Sequence, residues 1–166
     1  MNQFSYLLDN LPELTPEMLN EALTNEYWNT ERPFMCISGA TTMRKTQFVQ
    51  DLENNVGKVT TCFLKTAPNQ LYDWHTDPTR GCAINWLVKS NPGALTLHRW
   101  NNNNRYYWDI EEVKYKLLKP TLFNVKQEHC VINNYSDERI ILSISATDSS
   151  YDEVLEYLKN LKIDQY

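Results

Sequence analysis

The sequence predicts a mainly-β protein, an antiparallel sandwich or barrel with its helices confined to the two ends. Three observations lead there. About ten short runs rich in β-branched and aromatic residues lie between residues 34 and 146, several separated by turn-forming breaks such as Asn91-Pro92-Gly93. The two clear helix patterns fall before and after that stretch. Nothing within it reads as the crossover helix that a parallel βαβ fold requires.

The first element is a helix. Thr15 caps it, Pro16 suits its first helical position, and Glu17 favours the positive end of its dipole. Leu14 and Leu19 are spaced as a hydrophobic staple. Leu19, Ala22, Leu23 and Glu26 share one side with Tyr27 beside them, and the helix is expected to stop before Pro33. Strands are expected at Phe34 to Ser38, Lys45 to Gln50, Lys58 to Lys65, Leu71 to Thr76, Cys82 to Lys89 and Ala94 to Trp100. They continue at Tyr106 to Ile110, Thr121 to Val125, Cys130 to Asn133 and Ile140 to Ala146. Glu111 to Lys119 admits a helical turn, against which Tyr115 and the β-rich context weigh. A second helix closes the chain. Ser150 and Glu153 form a capping-box pattern, followed by Tyr151, Val154, Leu155, Leu158 and Leu161 at helical spacing.

At 166 residues the chain has the length of one ordinary domain, with the β core expected over 34–146. Hydrophobic types make up 42% and charged types 22%, a balance that fits a folded protein rather than a disordered one. Four glycines leave little room for phosphate-cradling loops, and no dinucleotide or P-loop pattern occurs. Sixteen Lys and Arg against 21 Asp and Glu give a net charge of −5, which argues against unspecific grip on nucleic acid or an anionic membrane. Cys36, Cys62, Cys82 and Cys130 lie far apart in or near apolar runs and read as buried free thiols. The start carries no signal-peptide pattern, and no apolar run has the length of a bilayer. The sequon at Asn134 matters only in a secreted protein, so a cytoplasmic protein is the expectation.

Two of the three histidines have suggestive neighbours. In Tyr72-Asp-Trp-His75-Thr-Asp77 the imidazole and carboxylate lie two apart, so on extended backbone both point to one face. His129 follows after strand-rich sequence and can be brought across from that pair. Two imidazoles and one carboxylate occupy one face of an octahedral metal and leave three positions free. The plainer reading makes Asp77-Pro78 a turn and both histidines structural.

Arg139 shifts the balance. It lies ten residues after His129, beyond the polar turn Asn134-Tyr-Ser-Asp-Glu138. Alternation puts Arg139, Ile141, Ser143 and Ser145 on a semi-polar face, and Ile140, Leu142, Ile144 and Ala146 on an apolar one. An inward Arg needs an anion, and its planar fork suits a carboxylate. A surface pairing with Asp137 or Glu138 is the alternative. Asn85, the polar interruption in Cys82-Ala-Ile-Asn-Trp-Leu-Val88, either donates to a bound carboxylate or bonds nearby backbone.

Tyr72-x-x-His75-x-Asp77, followed by His129 and Arg139, resembles the non-haem iron(II), 2-oxoglutarate-dependent oxygenase superfamily. The first block is similar to its prolyl-hydroxylase-like branch. The second, with Asn133 and the acidic turn, is similar to the aspartyl/asparaginyl β-hydroxylase relatives, which often lack the carboxylate that Asp77 provides here. Ile141 stands where the common Arg-x-Ser arrangement has Ser, with Ser143 one step further on the same face. The resemblance implies a double-stranded β-helix, a jelly roll of cupin-like form. It implies that His75, Asp77 and His129 hold Fe(II) as the catalytic centre and that Arg139 binds the distal carboxylate of 2-oxoglutarate. Tyr72, Asn85 and Ser143 are candidate further contacts to that cosubstrate. The implied reaction uses molecular oxygen to hydroxylate a peptide side chain, an amino acid or a small metabolite. A cupin-like metalloenzyme without 2-oxoglutarate, a jelly-roll binding module and a structural protein are the rival readings.

Three features remain open. Arg80 reads as a surface cation or a substrate clamp, and Trp74 as packing opposite His75. His98, Arg99 and Trp100 with Tyr106, Tyr107 and Trp108 form an aromatic-polar cluster suited to a substrate rim or to contact with another copy in a homo-oligomer.

Overall fold

A computed structural model describes residues 4–8, 11–32, 35–90, 92–101 and 107–161. Its strands are β1 (Ser5–Leu7), β2 (Asn29–Arg32), β3 (Met35–Gly39), β4 (Val59–Thr66), β5 (Gln70–His75) and β6 (Cys82–Lys89). They continue with β7 (Ala94–Trp100), β8 (Asp109–Glu112), β9 (Pro120–Phe123), β10 (His129–Asn133) and β11 (Arg139–Ala146). The helices are α1 (Pro16–Thr24), α2 (Thr41–Arg44), α3 (Gln47–Val56) and α4 (Tyr151–Lys159).

The strands form two antiparallel sheets, one of seven in the order β1-β9-β6-β11-β4-β3-β2 and one of four in the order β5-β10-β7-β8. From β4 onward the chain passes back and forth between them, which is jelly-roll winding. One face of the larger sheet is apolar. Cys82, Ile84, Trp86 and Val88 of β6 and Ile140, Leu142, Ile144 and Ala146 of β11 join buried side chains of all four helices in one core. Phe48, Val49, Leu52 and Val56 come from α3, and Tyr151, Val154, Leu155 and Leu158 from α4. Each such large apolar side chain contributes about 1.5–3 kcal/mol on burial, so this layer anchors the fold. The opposite face looks toward the smaller sheet and carries the polar residues.

The two end helices and most strands lie where the sequence placed them, and α4 carries the Ser150–Glu153 capping box in full. Lys45 to Gln50 is not a strand. Thr46 caps α3 by accepting a hydrogen bond from the Val49 N–H at 3.3 Å, and the apolar residues from Phe48 to Val56 follow helical spacing. A reading that stopped at Gln50 saw only Phe48 and Val49, too few residues to separate the two periods. α1 ends at Thr24, and its buried face is Met18 and Ala22, whereas Leu23 and Tyr27 are exposed. β1 and β2 are short additions at the sheet ends. β8 starts later than expected, and residues 113–119 form no helix, meeting the larger sheet through a bridge from Leu117 to Leu87. Phe34 and Tyr106 lie outside the described residues. Cys62, Cys82 and Cys130 are free thiols, the first half-buried and the others buried, while the Cys36 side chain lies outside the described residues. Among the described residues no helix is long and apolar enough to cross a membrane.

Candidate metal centre

The inner face of the smaller sheet brings three histidines into one row. His129 on β10 stands opposite His75 of β5 on one side and opposite His98 of β7 on the other. Between His129 and Val131 the register slips, so Asp73 and Trp74 together oppose Cys130. That bulge decides which groups meet. Strict alternation sends residues three apart to opposite faces. With one extra residue, Tyr72 and His75 both turn inward and stack with ring centroids 3.7 Å apart. The His75 and His129 rings lie 4.2 Å apart.

Asp77 sits in the turn after β5, held from several sides. Its N–H donates to the Val125 carbonyl at 3.0 Å, and the Gly81 N–H donates to that of Ala146 at 2.8 Å. Lys126 Nζ donates to the carbonyls of Asp77 and Pro78. Gly81 is required here, because a Cβ would lie 1.9 Å from the Ser149 carbonyl oxygen.

His75, Asp77 and His129 each present one ligand atom, all within 4.8 Å of one another. His129 Nε2 is 4.0 Å from Asp77 Oδ2. Both imidazoles have their far nitrogen on a backbone carbonyl, His75 Nδ1 on Asp73 at 2.6 Å and His129 Nδ1 on Gln127 at 2.8 Å. A carbonyl only accepts, so each Nδ1 carries a proton, and in the neutral ring Nε2 is the nitrogen left with a lone pair for the cluster. Burial pushes the His129 pKa down to about 4, which keeps that ring neutral near pH 7. Two imidazoles with Nε2 turned to the cluster and one carboxylate fit a divalent metal ion of the iron class as a facial triad.

The two histidines of the triad line a cavity of about 60 Å³ between the sheets, together with Tyr72, Arg80, Asn85 and Tyr115 among others. Across it, the larger sheet aligns Ser143, Asn85 and Thr121 in register on three adjacent strands. Asn85 donates from Nδ2 to the Tyr115 hydroxyl at 3.0 Å. Its Oδ1, Ser143 Oγ and Thr121 Oγ1 are buried without a protein partner. Arg139 is only 2% exposed. One of its amino groups donates to Thr96 Oγ1 at 2.9 Å, its guanidinium lies 5.3 Å from the Tyr115 ring centroid, and its Nε has no partner. Among the described residues no carboxylate pairs with it, so the surface pairing with Asp137 or Glu138 does not form; Lys89 takes both of those acids. Burial pushes the Arg139 pKa down and the Tyr115 pKa up.

Sequence reasoning did not find Tyr115 or Thr96 as part of this site. Thr96 had a signal, lying two residues before His98 on the same strand face, whereas Tyr115 sits in irregular chain and had none. The aromatic-polar cluster does not form as one surface. His98 turns inward between Phe4 and Phe123, while Arg99 turns outward, stacks on Trp74 and Trp108, and pairs with Glu128. Trp74 therefore packs on the far side of the sheet from His75. Arg80 donates to Asp77 Oδ2 and to Ser145 Oγ, and so belongs to the site.

No protein-family model matches the sequence, and no curated protein sequence matches it. Solved structures do. A prolyl-4-hydroxylase from Pseudomonas putida superposes with a TM-score of 0.59 at 12% identity, over 88% of this chain and 92% of that one. A 2OG-Fe(II) oxygenase family oxidoreductase from Burkholderia pseudomallei superposes with a TM-score of 0.53 at 10% identity, over 81% and 78% of the two chains. The fold is a double-stranded β-helix. Its larger sheet is extended by β1, β2 and β3 and backed by four helices, and it carries the two-histidine, one-carboxylate cluster between its sheets.

Proposed function

We propose that this chain is an Fe(II)- and 2-oxoglutarate-dependent dioxygenase that hydroxylates a peptide side chain, an amino acid or a small metabolite. The observation that carries this reading is Arg139. A fully buried guanidinium without an acidic partner is costly. Its neighbours Thr96 and Tyr115 line the same cavity as His75 and His129. A dicarboxylate that reaches from the triad to Arg139 supplies the missing anion. Its far carboxylate takes the planar fork, and Ser143, Asn85 and Tyr72 are proposed further contacts.

In this proposal His75, Asp77 and His129 hold the iron, which when bound supplies oxygen activation and the oxidation of a C–H bond coupled to decarboxylation of 2-oxoglutarate. The chain's own part is placement. The tautomers fixed by the Asp73 and Gln127 carbonyls keep both Nε2 lone pairs aimed at one point. The apolar cavity walls, including Phe123, Val125 and Val131, restrict water and strengthen each charged contact inside. The test is anaerobic titration of the Fe(II)-loaded protein with 2-oxoglutarate, following the visible absorption of the iron–keto-acid chelate. One equivalent is expected to saturate it. Metal binding without that complex would refute the cosubstrate and favour a cupin-like metalloenzyme.

A further inference from the structure

A guanidinium other than that of Arg139 lies beside the metal ligands, and nothing in the proposed chemistry above uses it. Arg80 lines the cavity with His75 and His129 and is held rigidly, one amino group on Asp77 Oδ2 and the other on Ser145 Oγ at 3.1 Å. A guanidinium has five N–H groups, so three remain, and the side chain is 26% exposed. Resting on the oxygenase reading, we propose that Arg80 is the anion-binding residue for the substrate to be oxidised, and that this substrate carries a carboxylate close to the reacting carbon.

With a divalent ion bound, the ion, Asp77, Arg80 and Arg139 together bring three positive charges, because the Nδ1 of each histidine is on a backbone carbonyl and an Nε2 that ligates a metal carries no proton. A dianionic keto acid removes two. The remaining one sits at Arg80, whose only acidic partner among the described residues, Asp77, is then shared with the metal. No Asp or Glu side chain among the described residues lines the cavity itself. Lys126 adds a further cation at the Asp77 turn, where it donates to the Asp77 and Pro78 carbonyls. The acids nearest in sequence point elsewhere, Glu128 pairing with Arg99 on the outer face and Asp73 acting on the same guanidinium. An excess positive charge at low dielectric attracts an anion and repels an amine. A guanidinium fixed by two partners also loses little freedom on gripping a carboxylate.

The test uses Mn(II)-loaded protein saturated with 2-oxoglutarate and reads the paramagnetic relaxation of probe protons by NMR. Propionate and butyrate are compared with propionamide and butyramide. An acetylated, amidated pentapeptide with a central Asp is compared with its Asn counterpart, which separates a free acid from a peptide-borne one. The acid of at least one pair is expected to relax at least five-fold more than its amide. Arg80→Gln is expected to abolish that difference at full Mn(II) and 2-oxoglutarate occupancy, titrated separately in each variant. Arg80→Lys is expected to retain part of it, and Lys126→Gln to reduce it. Amides that relax as strongly as acids, or an acid preference unchanged in Arg80→Gln, overturn the proposal while leaving the oxygenase reading in place. Failure of the wild type to take up Mn(II) or 2-oxoglutarate overturns both.

Discussion

Replacing Arg139 with methionine separates what the residue does for the fold from what it does for a ligand. The guanidinium is buried, its Nε is unpaired, and among the described residues its charge is met by one hydroxyl and the face of Tyr115 rather than by an acid. Removing a charge from water costs several kcal/mol, only part of which one neutral hydrogen bond and a ring contact return. Methionine is of similar length, is apolar and adapts to irregular space. Replacement of buried ionic groups by well-packed apolar ones is often neutral or stabilising by about 1–4 kcal/mol. Arg139→Met is therefore expected to raise the stability of the ligand-free protein by about 1–3 kcal/mol. For a chain of this length that corresponds to a rise of roughly 3–10 °C in Tm.

The same substitution is expected to weaken 2-oxoglutarate severely. Losing the partner of a buried charge-assisted pair costs about 2–5 kcal/mol, roughly 30-fold to several thousand-fold in Kd. Differential scanning calorimetry of the apoprotein and anaerobic calorimetric titration of the Fe(II)-loaded protein read the two effects separately. A fall in Tm of more than a few degrees would show that Arg139 is a structural residue already satisfied by its protein partners. An unchanged Kd would remove the proposed carboxylate site.

Asp77→Ala is expected to weaken Mn(II) binding at least about 100-fold by calorimetry, with the far-UV spectrum retained, because it deletes the one anionic ligand. His98 is 1% exposed and both its ring nitrogens lack partners; burial, followed by the charge of nearby His129, pushes its pKa down to about 3. The unfolded chain, with a histidine pKa near 6.5, takes the proton first, so stability falls as pH drops below about 6.5 and continues to fall until about 3. By pH 5 His98 alone accounts for about 2 kcal/mol, and His98→Phe is expected to flatten urea-derived stability between pH 7 and 5 by that amount. Gly81→Ala forces a Cβ against the Ser149 carbonyl and is expected to lower both Tm and Mn(II) affinity, since the same turn carries Asp77 and Arg80. Retention of both would show that the turn yields without disturbing the ligand.

Much of this arrangement was legible because β structure has a period of two. The alternation along Arg139–Ala146 needed only that rule, and β11 turns its two faces as the rule requires; His75 and Asp77 do meet, but through the turn after β5 rather than by strand alternation. What was not legible departs from the period or depends on distant chain. The bulge at Asp73-Trp74 places Tyr72 beside His75, against simple alternation. Tyr115 reaches Asn85 and Arg139 from irregular chain, so no spacing announced it. α3 was lost because its first turn begins with Phe48-Val49, which reads equally as the start of a strand, and only Leu52 and Val56 reveal the helix.

The division of the larger sheet into two unlike faces makes a polar site of this kind tolerable. Asn85 Oδ1, Ser143 Oγ, Thr121 Oγ1 and Arg139 Nε are all buried without protein partners. Each unsatisfied group costs about 1–3 kcal/mol, a load heavy against the usual net stability of a domain. The strands that carry these residues present Ile84, Trp86, Leu122, Ile140, Leu142 and Ile144 to the helices on the other side, each 2% exposed or less. Apolar burial on one face thus offsets unsatisfied polarity on the other, within the same strands and one residue apart. Substitutions on the two faces should then move stability in opposite directions: truncating Leu142 loosens the fold, whereas neutralising Arg139 tightens it. A site whose residues destabilise the empty protein is one that a ligand stabilises when it binds.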